Sequence, residues 1–300
     1  MNGIIVLDKP AEFTSFDAVA VMRGLAKERK IGHTGTLDPM ATGVLPLLLG
    51  RAAKAADLLP DTEKAYRAEF RLGERRDTGD VTGSIVETDN VPVSEETIKA
   101  ALEKFQGEIW QTPPMYSAVS VGGKRLYELA RKGIEIEREP RKITVGKLEL
   151  ERYQEESREG VLQVSCSKGT YIRVLIEDIA KAVGSCGTMT ALRRTYACGF
   201  SEKDALPLEE LRRLAAEEQL SSVLRPVESL FGEYPGVTVS PAQETRFCNG
   251  GALSVERLKM PRIALTDGLR FSVYGGDGRF LGLAQADVQK SELRFLKRFV

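Results

Sequence analysis

The chain has 300 residues, with 43 Lys plus Arg balanced by 43 Asp plus Glu, and one His. That length suggests about two domains and a core that needs no disulfide or metal staple. Zero net charge excludes capture of polyanions by bulk positive charge, and a lone His33 excludes two-His zinc motifs such as H-E-x-x-H.

The N-terminal apolar run Ile4 to Leu7 is too short for a signal peptide and reads as a buried strand. Thr14-Ser15-Phe16-Asp17 has the S/T-x-x-D spacing of a helix start. Phe16, Val19, Met22 and Ala26 then recur as one apolar face, up to the basic end Lys27 to Lys30. Residues 31–50 carry Gly32, Gly35, Gly43, Gly50, Pro39 and Pro46, which predicts a loop with special backbone geometry. Tyr66, Ala68, Phe70 and Leu72 alternate with charged residues, a strand with one buried face. Asp77 to Gly83 is turn chemistry, and 94–106 reads as a surface helix opened by Ser94.

Residues 121–147 hold eight basic and four acidic residues, a local surplus of about +4. Leu162, Val164 and Cys166 mark a strand, which Lys168-Gly169-Thr170 turns into a helix with Ile172, Ile176, Ile179 and Val183 on its apolar face. Residues 202–218 read as an acidic helix. Gly232 to Gly236 is the best domain boundary, and beyond it the pattern is all-β. No stretch approaches the roughly 18 apolar residues of a membrane span. Cys166, Cys186, Cys198 and Cys248 have no C-x-x-C spacing; they read as reduced thiols of a cytoplasmic protein. No cluster suggests a metal.

The richest segment is His33-Thr34-Gly35-Thr36-Leu37-Asp38-Pro39. Alone, Asp38-Pro39 reads as a turn and His33 as a loop histidine. The functional alternative is a carboxylate nucleophile, which must stay ionised while partly desolvated and so needs a cation beside it. Arg173 lies in a first helical turn, where a cation is disfavoured by the helix dipole unless an anion holds it. Tyr66 reads as a core aromatic or as a base-stacking surface.

Taken in order, these blocks resemble the bacterial tRNA pseudouridine synthase B family over roughly residues 2–230. The match includes Asp8-Lys9-Pro10, the block 32–39 with Ala41 to Leu45, Lys64-Ala65-Tyr66, and Asp77-Thr78-Gly79-Asp80. It also includes Pro113 to Ala118, Gly122 to Arg131 and Gly169 to Arg173. The resemblance implies isomerisation of uridine to pseudouridine at position 55 in the T loop of tRNA. It implies a mixed α/β core on a largely antiparallel sheet with a central cleft, residues 1–232. An RNA-clamping thumb would be inserted at about 115–145, and a small PUA-like RNA-binding β domain would follow at 233–300.

Asp38 would attack the flipped nucleotide, at the ribose or at the pyrimidine ring, paired with Arg173. Tyr66 would stack on the uracil and take the C5 proton. Tyr171 and Leu192 would complete the pocket, and His33 would hold the extruded base or the loop it left. Lys9, Lys64, Lys124 and Arg125 would bind substrate. The resemblance implies no cofactor, no metal, no membrane and no obligate protein partner, a monomer acting on the T arm, with an added tRNA-folding role. Two positions depart from the family pattern: Glu12 replaces a glycine, and Ser120 replaces a lysine expected at a phosphate. If residue 12 needs a positive φ, the turn there should differ.

Overall fold

The computed structural model describes all 300 residues. Its centre is a ten-stranded sheet. The main order runs Leu206–Pro207, Gly3–Lys9, Thr42–Leu49, Gly187–Ala197, Lys64–Leu72, Glu159–Cys166, Arg141–Gln154 and Gly107–Gln111. Pairing is antiparallel except where Leu206–Pro207 meets Gly3–Lys9 and where Arg193 and Arg194 meet Thr42 and Gly43. The alternation at 66–72 is reproduced: Tyr66, Ala68, Phe70 and Leu72 are all buried. Helices Ser15–Ala26, Glu95–Leu102, Ile172–Ala182 and Leu208–Ala216 cover the apolar face.

Residues 31–50 are only partly the expected loop. Ile31–His33 and Thr42–Leu49 are strands, and only 34–41 is irregular. Buried Val44, Leu45 and Leu47 to Leu49 outweigh the turn residues, because a strand covered on both faces needs apolar side chains on both. Pro46 sits where that strand's second neighbour changes from Ile31–His33 to Gly187–Ala197. Phe16 also departs from its predicted place. Val19, Met22 and Ala26 are buried, but Phe16 is 66% exposed, with the Arg23 guanidinium over its ring. The acidic helix is shorter than read, Leu208–Ala216.

Glu12 adopts φ +64°, so the turn keeps its left-handed residue and the side chain bears the strain. Glu12→Gly should therefore raise unfolding stability by about 0.5–1 kcal/mol, read from urea midpoints at constant slope.

A second, five-stranded sheet follows: Gly236–Thr238, Arg270–Tyr274, Phe280–Asp287, Glu292–Arg298 and Leu253–Ser254. It is not purely β, since helix Pro241–Cys248 opens on a Ser240–Gln243 capping box with Pro at its start. Phe231, Phe280 and Phe299 stack together and join Ile4, Val6, Val44 and Leu48 in one apolar cluster. The second sheet is thereby seated on the back of the first. No helix is long and apolar enough to cross a membrane.

Candidate active site

Asp38 lies in the middle of the irregular segment 34–41. Its carbonyl accepts from Ala41 N at 3.0 Å, so the turn expected of Asp-Pro is present as well. Three contacts hold the segment down. Ser15 Oγ accepts from Leu37 N at 2.8 Å. His33 Nδ1 accepts from Gly35 N at 3.2 Å, which leaves the proton of the neutral ring on Nε2. Lys9 Nζ donates to the carbonyls of Pro10, Phe13 and Pro39 at 2.8, 2.5 and 3.2 Å.

Lys9 is thus placed differently from its expected substrate-binding role. It is completely buried, and its ammonium is spent on three carbonyls under the loop. Burial lowers it to about 8, so it remains mostly charged at neutral pH and keeps those donors.

Arg173 supplies the cation that Asp38 needs. Its Nε lies 3.0 Å from Asp38 Oδ2, and Nη2 lies 3.3 Å from Oδ1. The same guanidinium donates to Thr78 O at 2.8 Å and Tyr116 O at 2.9 Å, and lies 3.8 Å from Asp80 Oδ2. Every arm is therefore fixed. Gln111 pins the helix start that carries it, accepting from Tyr171 N and donating to Tyr171 O. Asp80 is buried and accepts from Thr78 Oγ1, Thr82 N and Thr82 Oγ1. Sequence reading gave Asp80 and Gln111 no role. The block 77–80 was the one signal for Asp80, with nothing in it pointing at Arg173, and Gln111 had none.

Burial pushes the Asp38 carboxyl up, and the Arg173 charge opposes it. A third of the Asp38 side chain still faces open space. That space is a cavity of about 210 Å³ walled by Lys64, Tyr66, Tyr171, Arg173 and Leu192. Burial pushes the Tyr66 phenol up to about 12 and lowers Lys64. The cavity opens into a wider cleft of about 680 Å³ that reaches Phe16, His33, Asp80, Arg125, Tyr127 and Arg131. Burial, then the Arg194 cation, lower His33.

The structure therefore brings Asp38, Arg173, Tyr66, Tyr171, Leu192 and Lys64 to one cavity and His33 to its mouth. Lys124 and Arg125 stand apart on an exposed hairpin, Ser120–Val121 against Lys124–Arg125, and neither makes an ion pair. Arg125 reaches the cleft, and Lys124 faces solvent. The site can hold an ionised carboxylate beside a fixed cation, against an aromatic and an aliphatic wall. That arrangement suits a flat, neutral base held against the wall, with the carboxylate beside it.

The chain also resembles known proteins. Residues 23–172 match the model of the TruB family pseudouridylate synthase N-terminal domain. Residues 173–232 match that of the tRNA pseudouridylate synthase B C-terminal domain. The chain is 41% identical over 290 residues to tRNA pseudouridine synthase B of Burkholderia mallei, covering 95% of this chain and 93% of that one. It is 42% identical over 287 residues to the protein of the same name from Aromatoleum aromaticum, covering 96% and 89%. The Vibrio vulnificus protein of that name is 40% identical over 294 residues, covering 95% and 91%. Among solved structures, a chain of a Cbf5-Nop10-Gar1 complex superposes with a TM-score of 0.77 at 26% identity, covering 99% of this chain and 85% of that one. From its sequence and its fold alike, this chain belongs to the TruB family of pseudouridylate synthases.

Proposed function

We propose that the protein isomerises uridine to pseudouridine in tRNA, at position 55 of the T loop, with Asp38 as nucleophile. The observation that carries this reading is the side-on Asp38–Arg173 pair at the edge of a cavity walled by Tyr66 and Leu192. The target base is buried in a duplex-closed loop, so it must leave the stack to reach the carboxylate; that costs a few kcal/mol, offset by wall contacts. Asp38 attacks, the glycosidic bond breaks, and the base turns within the cavity. A carbon–carbon bond between C5 and the ribose C1' then forms, the bond to Asp38 breaks to regenerate the carboxylate, C5 loses its proton to solvent and N1 takes one up. Substrate and product are isomers, so the reaction involves no net oxidation or reduction.

Tyr66 fits one of its two expected roles better than the other. With its phenol at about 12, the neutral form faces the base at physiological pH. It serves as a stacking wall and a hydrogen-bond donor. To accept the C5 proton it would have to pass its own onward. Tyr171 and Leu192 close the remaining sides, Lys64 is a second cation on the cavity wall beside Arg173, and His33 stands at the mouth.

The segment 115–145 is read as the thumb that holds the T arm. Lys124 and Arg125 have no carboxylate partner, which leaves both for phosphates. Removing either should lower the slope of log K against log salt by about one. Filter binding across a salt series measures it, and unchanged slopes would argue against the clamp. The unit at 233–300 is read as a second RNA contact, and a tRNA-folding role would follow from binding alone. It should persist in Asp38→Asn.

A guide-RNA-dependent mode is the second reading, and one solved neighbour is titled "Structure of H/ACA RNP bound to a substrate RNA containing 2'-deoxyuridine". Incubating the protein alone with a T-arm stem-loop separates the two modes. Conversion without guide RNA or partner protein is the expected result.

A further inference from the structure

Arg194 is the largest side chain with no solvent exposure. It makes no ion pair. Its Nε donates to Val44 O at 2.7 Å and its Nη2 to Gly35 O at 3.2 Å, while Nη1 has no partner. Its neighbour on the strand, Arg193, points the other way and is matched by Asp8 and Glu202. The paired arginine is thus outside and the unpaired one inside. A buried cation without a counter-ion opposes folding, and an apolar side chain of similar volume would serve the core at least as well. Stability does not explain Arg194.

Its contacts do. Gly35 and Val44 flank the irregular segment that carries Asp38, so one planar guanidinium spans the two ends of that segment. Both ends also hold backbone conformations that favour glycine, and the second is closed by backbone as well. A Cβ on Gly35 (φ +136°) would lie 2.9 Å from Lys64 Nζ, and one on Gly43 (φ +101°) would lie 2.2 Å from Arg194 O. Arg194 is paired with Tyr66 across neighbouring strands, which puts both side chains on the cavity side. We propose that Arg194 is a positioning residue for the reaction: it sets the span of the Asp38 segment through the Gly35 and Val44 carbonyls and fixes Tyr66 beside it. This rests on the isomerase reading given above.

The test uses Arg194→Met and Arg194→Lys in the full chain. Arg194→Met should lower kcat about 100-fold, the size of a roughly 1 Å misplacement at the reacting centre. KM should stay within about threefold, since uniform binding is untouched. Its thermal midpoint should not fall. Arg194→Lys keeps the charge and part of the donor set, and should recover part of the lost kcat.

The lone histidine supplies a readout that simple packing would not move in this pattern, because with one His in the chain its ring Hε1 resonance is unambiguous. The groups facing His33 are Arg194, Lys64 and the Gly35 amide. In Arg194→Met the His33 midpoint should rise toward the ordinary histidine value; in Arg194→Lys it should stay low. Amide exchange at Gly35 and Leu37 should speed up in Arg194→Met. Wild-type kcat in Arg194→Met, or unchanged exchange and titration, would overturn the proposal. Should Arg194→Met fail to fold, wild-type kcat and exchange in Arg194→Lys would overturn it equally. If the native protein converts no uridine in tRNA, the isomerase reading fails, and exchange with titration decides Arg194 alone.

Discussion

Asp38→Asn should abolish conversion, with a loss of at least about a thousandfold in single-turnover rate, as expected when a nucleophile is removed. Tritium release from C5-labelled tRNA reads it. Fold and tRNA binding should survive, because an amide of the same shape still accepts from Arg173, and Arg173 keeps Thr78 O, Tyr116 O and Asp80. The sign of the stability change follows from burial. The folded state holds the Asp38 carboxyl above its ordinary value, so ionising it costs stability. That cost is present at neutral pH and vanishes below the unfolded carboxylate value. Asp38→Asn should therefore unfold no more easily than the native protein at pH 7, and somewhat less easily. Normal turnover, or a large drop in stability, would show that Asp38 is a structural turn residue.

Arg173 carries the second large effect. Arg173→Leu removes the one cation facing two carboxylates and frees two carbonyls, with Asp80 left buried. Breaking such a set costs roughly 3–5 kcal/mol, so turnover should collapse together with stability. Arg173→Lys is the sharper variant. It retains a charge but cannot grip the carboxylate side-on or reach Thr78 and Tyr116 at once. The expected loss in kcat is roughly 100-fold or more, comparable to deleting one preorganised donor at a reacting group. The pH profile should move with it. As the proposed nucleophile Asp38 must be ionised, so on that reading the rate falls as pH falls through its raised value. That acid limb lies above the usual carboxylate range in the native enzyme and higher still in Arg173→Lys. An unmoved acid limb with near-normal kcat would sink the Asp38–Arg173 pairing.

The sequence made the strands and the catalytic block legible where local pattern and burial agree. Tyr66 to Leu72 alternates because one face is buried, and Thr14 caps its helix as spelled. Legibility failed where long-range contacts decide. Thr42–Leu49 contains Gly43 and Pro46 and still forms a central strand, because both faces are covered. Phe16 has helical spacing, but its turn of the helix faces the cleft rather than the core. Helix Pro241–Cys248 could have been read from Ser240-Pro241 and Gln243 but was masked by the β pattern around it. In the site, Asp38 and Arg173 are 135 positions apart; the residues alone gave a carboxylate needing a cation and an arginine needing an anion, and the family resemblance paired them. Lys9 and Arg194 could not be sorted from sequence. Which basic residue is spent on carbonyls and which is free depends on burial alone. Glu12 shows the converse: the backbone demand survived and the side chain yielded.

The most direct measurement is a single-turnover reaction on tRNA carrying tritium at C5 of uridine 55 alone, with no guide RNA, metal or second protein added. Release of one tritium per tRNA by the native enzyme and none by Asp38→Asn is the expected result. Retention of the label by the native enzyme, or equal release by both, would contradict isomerisation by Asp38.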